Sequence, residues 1–115
     1  MSKVQLTVRT FRADCTNKEQ AVKVLEEASE AREAHQALRG LLDVRRELLG
    51  AGQTYVPSRE MADLIDAHRA LLADELADCV TACCNLAARY GIDMQAAMER
   101  VERKNRERGR YGRAD

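Results

Sequence analysis

The chain has 115 residues, and its 19 basic residues balance 19 acidic ones, so one small domain is expected and no overall charge draws it to a polyanion. One Phe, three Tyr and no Trp leave a core short of large aromatic area, which points to assembly with further copies of itself. No run approaches the roughly 18 apolar residues of a membrane span, and MSKVQLTVRT lacks the apolar stretch of a signal peptide, so the expectation is a soluble cytoplasmic protein without a membrane partner.

In chain order, Val4, Leu6 and Val8 alternate with polar neighbours, the period of a short extended segment inside an N-terminal stretch 1–16. Thr16 followed by Glu19 has capping-box spacing and predicts a helix from Asn17. Ala21, Val24, Leu25, Ala28, Ala31, His35 and Leu38 then form a packing stripe to about Arg39, with Gly40 as the stop. A short second helix over Leu41–Leu49 would close at Gly50, before a loop over 50–57 that holds Tyr55 and Pro57.

Ser58 is a suitable N-cap for a long third helix whose apolar residues, Leu64, Ile65, Leu71, Leu72, Leu76, Val80, Cys83, Leu86 and Ala87, continue to Tyr90 and Gly91. Asp93 caps a last helix with Ala97, Met98 and Val101 inward, and the tail over 109–115 should be loose. The resulting expectation is an all-α, antiparallel bundle of about four helices within one domain over 1–115, completed by oligomerisation as a homodimer or homotetramer.

Cys79, Cys83 and Cys84 crowd one helical stretch and cannot staple a fold. A soft-metal site of Cys79 and Cys83 with His68 lacks a second cluster, so these thiols and Cys15 read as small apolar residues. His35 and His68 have no partner of catalytic type and read as structural.

The acids are more informative. Glu27 and Glu30, three apart, share one side of the first helix, and Glu75 and Asp78 repeat the spacing on the third. Both pairs are framed by small residues, Ala28, Ala31 and Ala34 around one and Ala77, Cys79 and Ala82 around the other, which places them at the rim of a helix contact. Four carboxylates facing one another need a counter-ion to stay ionised, and an oxygen-only set selects Mg²⁺ or Mn²⁺. Ordinary surface acids carry the same spacing often, so on spacing alone the alternative stands.

Glu26-Glu27-Ala28-Ser29-Glu30 followed by Glu75-Leu76-Ala77-Asp78 resembles the E-E-x-x-E and E-x-x-D motifs of the MazG-like all-α nucleoside triphosphate pyrophosphohydrolases. The likeness continues through Gly91-Ile92-Asp93 and Lys104-Asn105, covers roughly residues 17 to 111, and departs in the long span between Glu30 and Glu75. It implies Mg²⁺-dependent conversion of a nucleotide substrate, a nucleoside triphosphate or a deoxy or non-canonical form, to monophosphate and pyrophosphate in a helical homo-oligomer.

By the same resemblance Glu27, Glu30, Glu75 and Asp78 are metal ligands and catalytic. Glu26 supports them or serves as base, and Lys104, Asn105 and Arg108 contact the phosphates, with Lys23 in reach one turn before Glu27. Asn85 and Tyr55 are the polar candidates for base or sugar. Two rivals remain open: a related enzyme acting on a phosphoribosyl nucleotide, which the Gly-Ile-Asp turn disfavours, and a non-catalytic helical interaction or nucleic-acid-binding module using the basic C-terminal helix. The acids would repel a nucleic acid, so that partner is not expected.

Overall fold

The computed structural model describes residues 3–50 and 59–112. These form three helices, α1 (Asn17–Gly50), α2 (Arg59–Arg89) and α3 (Met94–Glu107), with no strand among the described residues. The loop expected over 50–57 and the Ser58 cap lie outside the described residues, apart from Gly50, which ends α1.

The capping box forms as its spacing requires. The Glu19 N–H donates to Thr16 Oγ1 at 3.1 Å, and Glu19 Oε1 reaches back to the Thr16 N–H at 3.3 Å. Thr16→Ala should cost about 1 kcal/mol in urea denaturation.

Gly40 does not stop the helix, which corrects the four-helix expectation to three. An exposed glycine inside a helix costs only about 1 kcal/mol relative to alanine, and the packing face continues past it through Leu41 and Arg45. The continuing contact outweighs the local penalty.

Helices α1 and α2 are antiparallel, with Arg89 at the end of α2 donating to Asn17 Oδ1 at the start of α1 at 3.1 Å. Their packing faces follow alternating steps of four and three. On α1 the covered positions at these steps are Gln20, Val24, Glu27, Ala31, Ala34, Leu38, Leu41 and Arg45, and on α2 they are Met61, Ile65, His68, Leu72, Glu75, Cys79, Ala82, Leu86 and Arg89, where Thr81, Cys83, Cys84, Asn85 and Ala87 are covered as well. This is the heptad seam of a coiled-coil pair.

The stripe expected on α1 was therefore turned too far toward Leu25, which is 71% exposed. Ala21, Ala28 and His35 are exposed with it, while polar Gln20 and acidic Glu27 stand in the seam. Among the described residues the buried apolar ones are Ala31, Leu38, Ile65, Ala82 and Ala87, and Leu64, Leu71, Leu76 and Val80 remain open on α2.

A left-handed glycine ends α2. Gly91 takes φ 63°, its N–H donates to the Ala88 carbonyl at 3.3 Å, and the Ile92 N–H reaches the Ala87 carbonyl at 3.0 Å. Asp93 then caps α3 by accepting from the Ala96 N–H at 3.0 Å. Gly91→Ala should destabilise by about 1–2 kcal/mol through backbone strain alone, since no atom lies where its Cβ would fall. Urea midpoints measure it.

No residue of α3 is buried, and extensive helix packing is confined to α1 against α2. Met98 and Val101, expected inward, are 57% and 45% exposed. Gly109 closes α3 with a second left-handed turn, and residues 110–112 form a further turn in what was expected to be loose tail.

The N-terminal segment is neither helical nor paired as a strand, but side chains of α2 fasten it. Asn85 Oδ1 accepts from the Phe11 N–H at 3.0 Å, and Arg89 donates to the carbonyls of Ala13 and Cys15 at 2.8 Å each. None of the described helices is long and apolar enough to cross a membrane.

Candidate metal centre

Glu27 and Glu75 face each other because both are seam positions, and Asp78 follows one turn after Glu75 at the seam's edge. One carboxylate oxygen from each of Glu27, Glu75 and Asp78 lies within 4.8 Å of the others. Among the described residues no other group of three histidines, cysteines or acids comes together in this way, which disposes of a Cys79, Cys83 and His68 site.

Glu30 is exposed, and its charge acts on both Glu27 and Glu75. The four acids named by the motifs thus meet at one place.

The charge state of this place is strained. Glu27 is held above the usual carboxylate range first by burial, then by the charge and hydrogen bond of Glu30 and by Asp78, with Lys23 opposing. Glu75 is raised in the same way, by desolvation, then Glu30, Asp78 and Asp74. One cation sitting on one side of Glu27 does not offset three acids.

Oε2 of Glu27 and Oε2 of Glu75 are also buried without a hydrogen-bond partner, an arrangement that costs about 1–3 kcal/mol per group unless something else satisfies it. Two inward oxygen atoms lacking donors, with a third acid alongside, match what a hard divalent cation takes: oxygen ligands at about 2.0–2.1 Å for Mg²⁺. The donor set fits such an ion, and no sulfur or imidazole joins the cluster to favour a softer one.

The remaining expected residues are placed differently. Lys23 is exposed one turn before Glu27, where its charge is felt. Glu26 is exposed and, one residue from Glu27, points about 100° away.

Asn85 is 4% exposed, and its carbonyl oxygen accepts from the Phe11 N–H, so it holds the N-terminal segment. Tyr55 lies outside the described residues.

Lys104 and Asn105 sit on the last turn of α3 and Arg108 caps it. Among the described residues no ion pair joins Lys104 or Arg108 to the four acids.

The reading from sequence missed that Glu27 and Glu75 stand in the seam itself, with Glu30 and Asp78 at its rim, and that Arg89 and Asn85 clasp the N-terminal segment. The first had a legible signal, the four-and-three steps from Gln20 through Glu27 to Leu38. The second had none, because backbone carbonyl and N–H partners carry no side-chain identity.

Residues 6–105 match the family described as phosphoribosyl-ATP pyrophosphohydrolase, which is all-α and lies in the MazG-like superfamily. Its members are hydrolases acting on phosphoric anhydrides. The family set second on the strength of the Gly91-Ile92-Asp93 turn is thus the one matched, and placement in the MazG branch itself is not supported. No curated protein and no solved structure matches the chain.

Proposed function

Because the chain belongs to the phosphoribosyl-ATP pyrophosphohydrolase family and is a nucleotide pyrophosphohydrolase in kind, we propose that it cleaves the α–β linkage of a nucleoside triphosphate moiety, releasing pyrophosphate. The observation that carries the site is the pair of partnerless buried oxygens on Glu27 and Glu75, beside Asp78 and Glu30.

Glu27, Glu75 and Asp78 would hold Mg²⁺ or Mn²⁺, with Glu30 as the fourth acid. Bound there, the cation supplies neutralisation of the negative charge on the phosphate chain. Glu26 supports this cluster from the outer side of α1. Lys23, on the same edge of α1 as Glu27 and Glu30, offers an ammonium to a phosphate oxygen lying over the acids. Lys104, Asn105 and Arg108 would reach the phosphates of a substrate bound to another copy. Assembly is supported by the open faces of Leu25, Leu71 and Leu76, each contributing about 1.5–3 kcal/mol when covered.

The family match favours phosphoribosyl-ATP over free nucleoside triphosphates, while the resemblance of the acidic motifs favours the latter, and both present the same triphosphate. The test is pyrophosphate release from phosphoribosyl-ATP and from a panel of canonical, deoxy and damaged triphosphates in Mg²⁺. Release from at least one is expected, with loss in Asp78→Ala and Glu30→Ala. Inactivity across the panel would refute the proposal.

A further inference from the structure

His68 is half-buried in the seam, and only one of its ring nitrogens is engaged. Nδ1 lies 2.9 Å from the Leu64 carbonyl, which can only accept, so in the neutral ring Nδ1 carries the hydrogen and Nε2 the lone pair. Nε2 has no partner among the described residues, yet it is not one of the side-chain atoms buried without one. It is an accessible acceptor.

His68 and Glu75 are seven residues apart on one face of α2, about 10 Å along the axis at 1.5 Å per residue. That is the order of the span between the reacting phosphate of a nucleotide and the far edge of its base. In the register that sets Glu27 against Glu75, α1 offers His68 only the methyl group of Ala34, which leaves the ring half-covered. On the edge of α2 that carries Asp78, steps of seven lead back to Leu71 and Leu64, 54% and 45% exposed. The acids thus pass, along one line of the helix, into an apolar strip beside an acceptor.

We propose that this strip seats the nucleobase, and that His68 Nε2 selects a base with an amino group at its edge over one with a carbonyl there. The inference rests on the acids receiving the phosphates, and it specifies the other end of the same substrate. The exocyclic amino group of adenine or cytosine is a donor and meets the Nε2 lone pair as a hydrogen bond. The carbonyl oxygen of hypoxanthine or uracil is an acceptor and meets it as a repulsion. Leu64 and Leu71 touch the flat face of the ring, whose shape is nearly the same with either group, so they add affinity without choosing.

The test uses the full-length protein with Mg²⁺ at pH 8 and two matched pairs of nucleotides, adenosine against inosine and cytidine against uridine. Each pair differs by an amino group replaced with oxygen. Calorimetry with the α,β-methylene triphosphates reads binding without cleavage, and the ordinary triphosphates in parallel read pyrophosphate release. The amino member of each pair should bind about tenfold tighter. In His68→Leu, whose apolar side chain suits the seam, the ratio should fall to near one. His68→Gln, which offers both a donor and an acceptor, gives the same levelling should the leucine variant fail to fold. Equal binding within both pairs, or a preference unchanged in the two variants, would overturn this inference and leave the hydrolytic reading standing. Amino-selective binding with no pyrophosphate released from any of the four would do the reverse, and absence of binding by all four would overturn both.

Discussion

Glu75→Gln should lower pyrophosphate release by about 10³-fold and, in the same protein, raise the melting temperature measured in EDTA. The first effect follows because Glu75 provides one of the three clustered oxygens, and losing about 4 kcal/mol of charge stabilisation is about a thousandfold in rate. The second follows because Glu75 is destabilised as an anion by desolvation and by Glu30, Asp78 and Asp74, and the amide removes the charge while keeping the shape. A residue kept for stability alone would give the opposite sign in EDTA.

The dependence on pH has a fixed direction. Glu27 and Glu75 have folded pKa values raised above those of the unfolded chain, so their contribution to stability is fully present below the ordinary carboxylate range. It is lost as pH rises through the raised values. The metal-free protein should therefore melt at lower temperature as pH climbs out of the carboxylate range toward neutrality, and Glu75→Gln should flatten that decline. Mg²⁺ at a hundred times its Kd should restore about 2.7 kcal/mol, roughly 10 °C or more for a domain of this size. Differential scanning fluorimetry across pH, with and without Mg²⁺, measures both.

Arg89→Ala should be the most damaging substitution outside the acids, costing about 2–3 kcal/mol in chemical denaturation. Its guanidinium holds two backbone carbonyls, the Asn17 side chain and the Cys15 sulfur, so its loss leaves several acceptors without donors at the junction of three chain segments. Hydrogen exchange should rise at Phe11, whose N–H is held by the neighbouring Asn85, because the clasp acts as a unit. An effect confined to residues 88–90 would mean that the segment is anchored by other contacts.

These expectations show where chemistry could be read from the chain and where it could not. The acidic motifs were legible because carboxylates three apart on a helix share a side whatever the tertiary contacts are, and both helices carry the pattern. The Thr16–Glu19 box, the Gly91 turn and the Asp93 cap were legible for the same reason, since each is a local hydrogen-bonding unit.

The rotation of α1 was not, because a stripe drawn through apolar residues passes over Gln20 and Glu27, and a seam that accepts them violates the hydropathy pattern. Gly40 misled because a local penalty of about 1 kcal/mol was weighed without the packing that continues beyond it. Asn85 looked like a free amide two turns past Asp78, and only a backbone partner 74 residues away assigns it to the fold.

That the four acids serve a divalent cation in hydrolysis of a phosphoric anhydride is tested most directly by phosphorus NMR of phosphoribosyl-ATP, with ATP in parallel, incubated with the protein in ¹⁸O-labelled water. With Mg²⁺, monophosphate and pyrophosphate should appear from at least one of them with one ¹⁸O incorporated, and neither should appear in EDTA. Equal turnover in EDTA, or release of orthophosphate instead of pyrophosphate, would contradict the assignment.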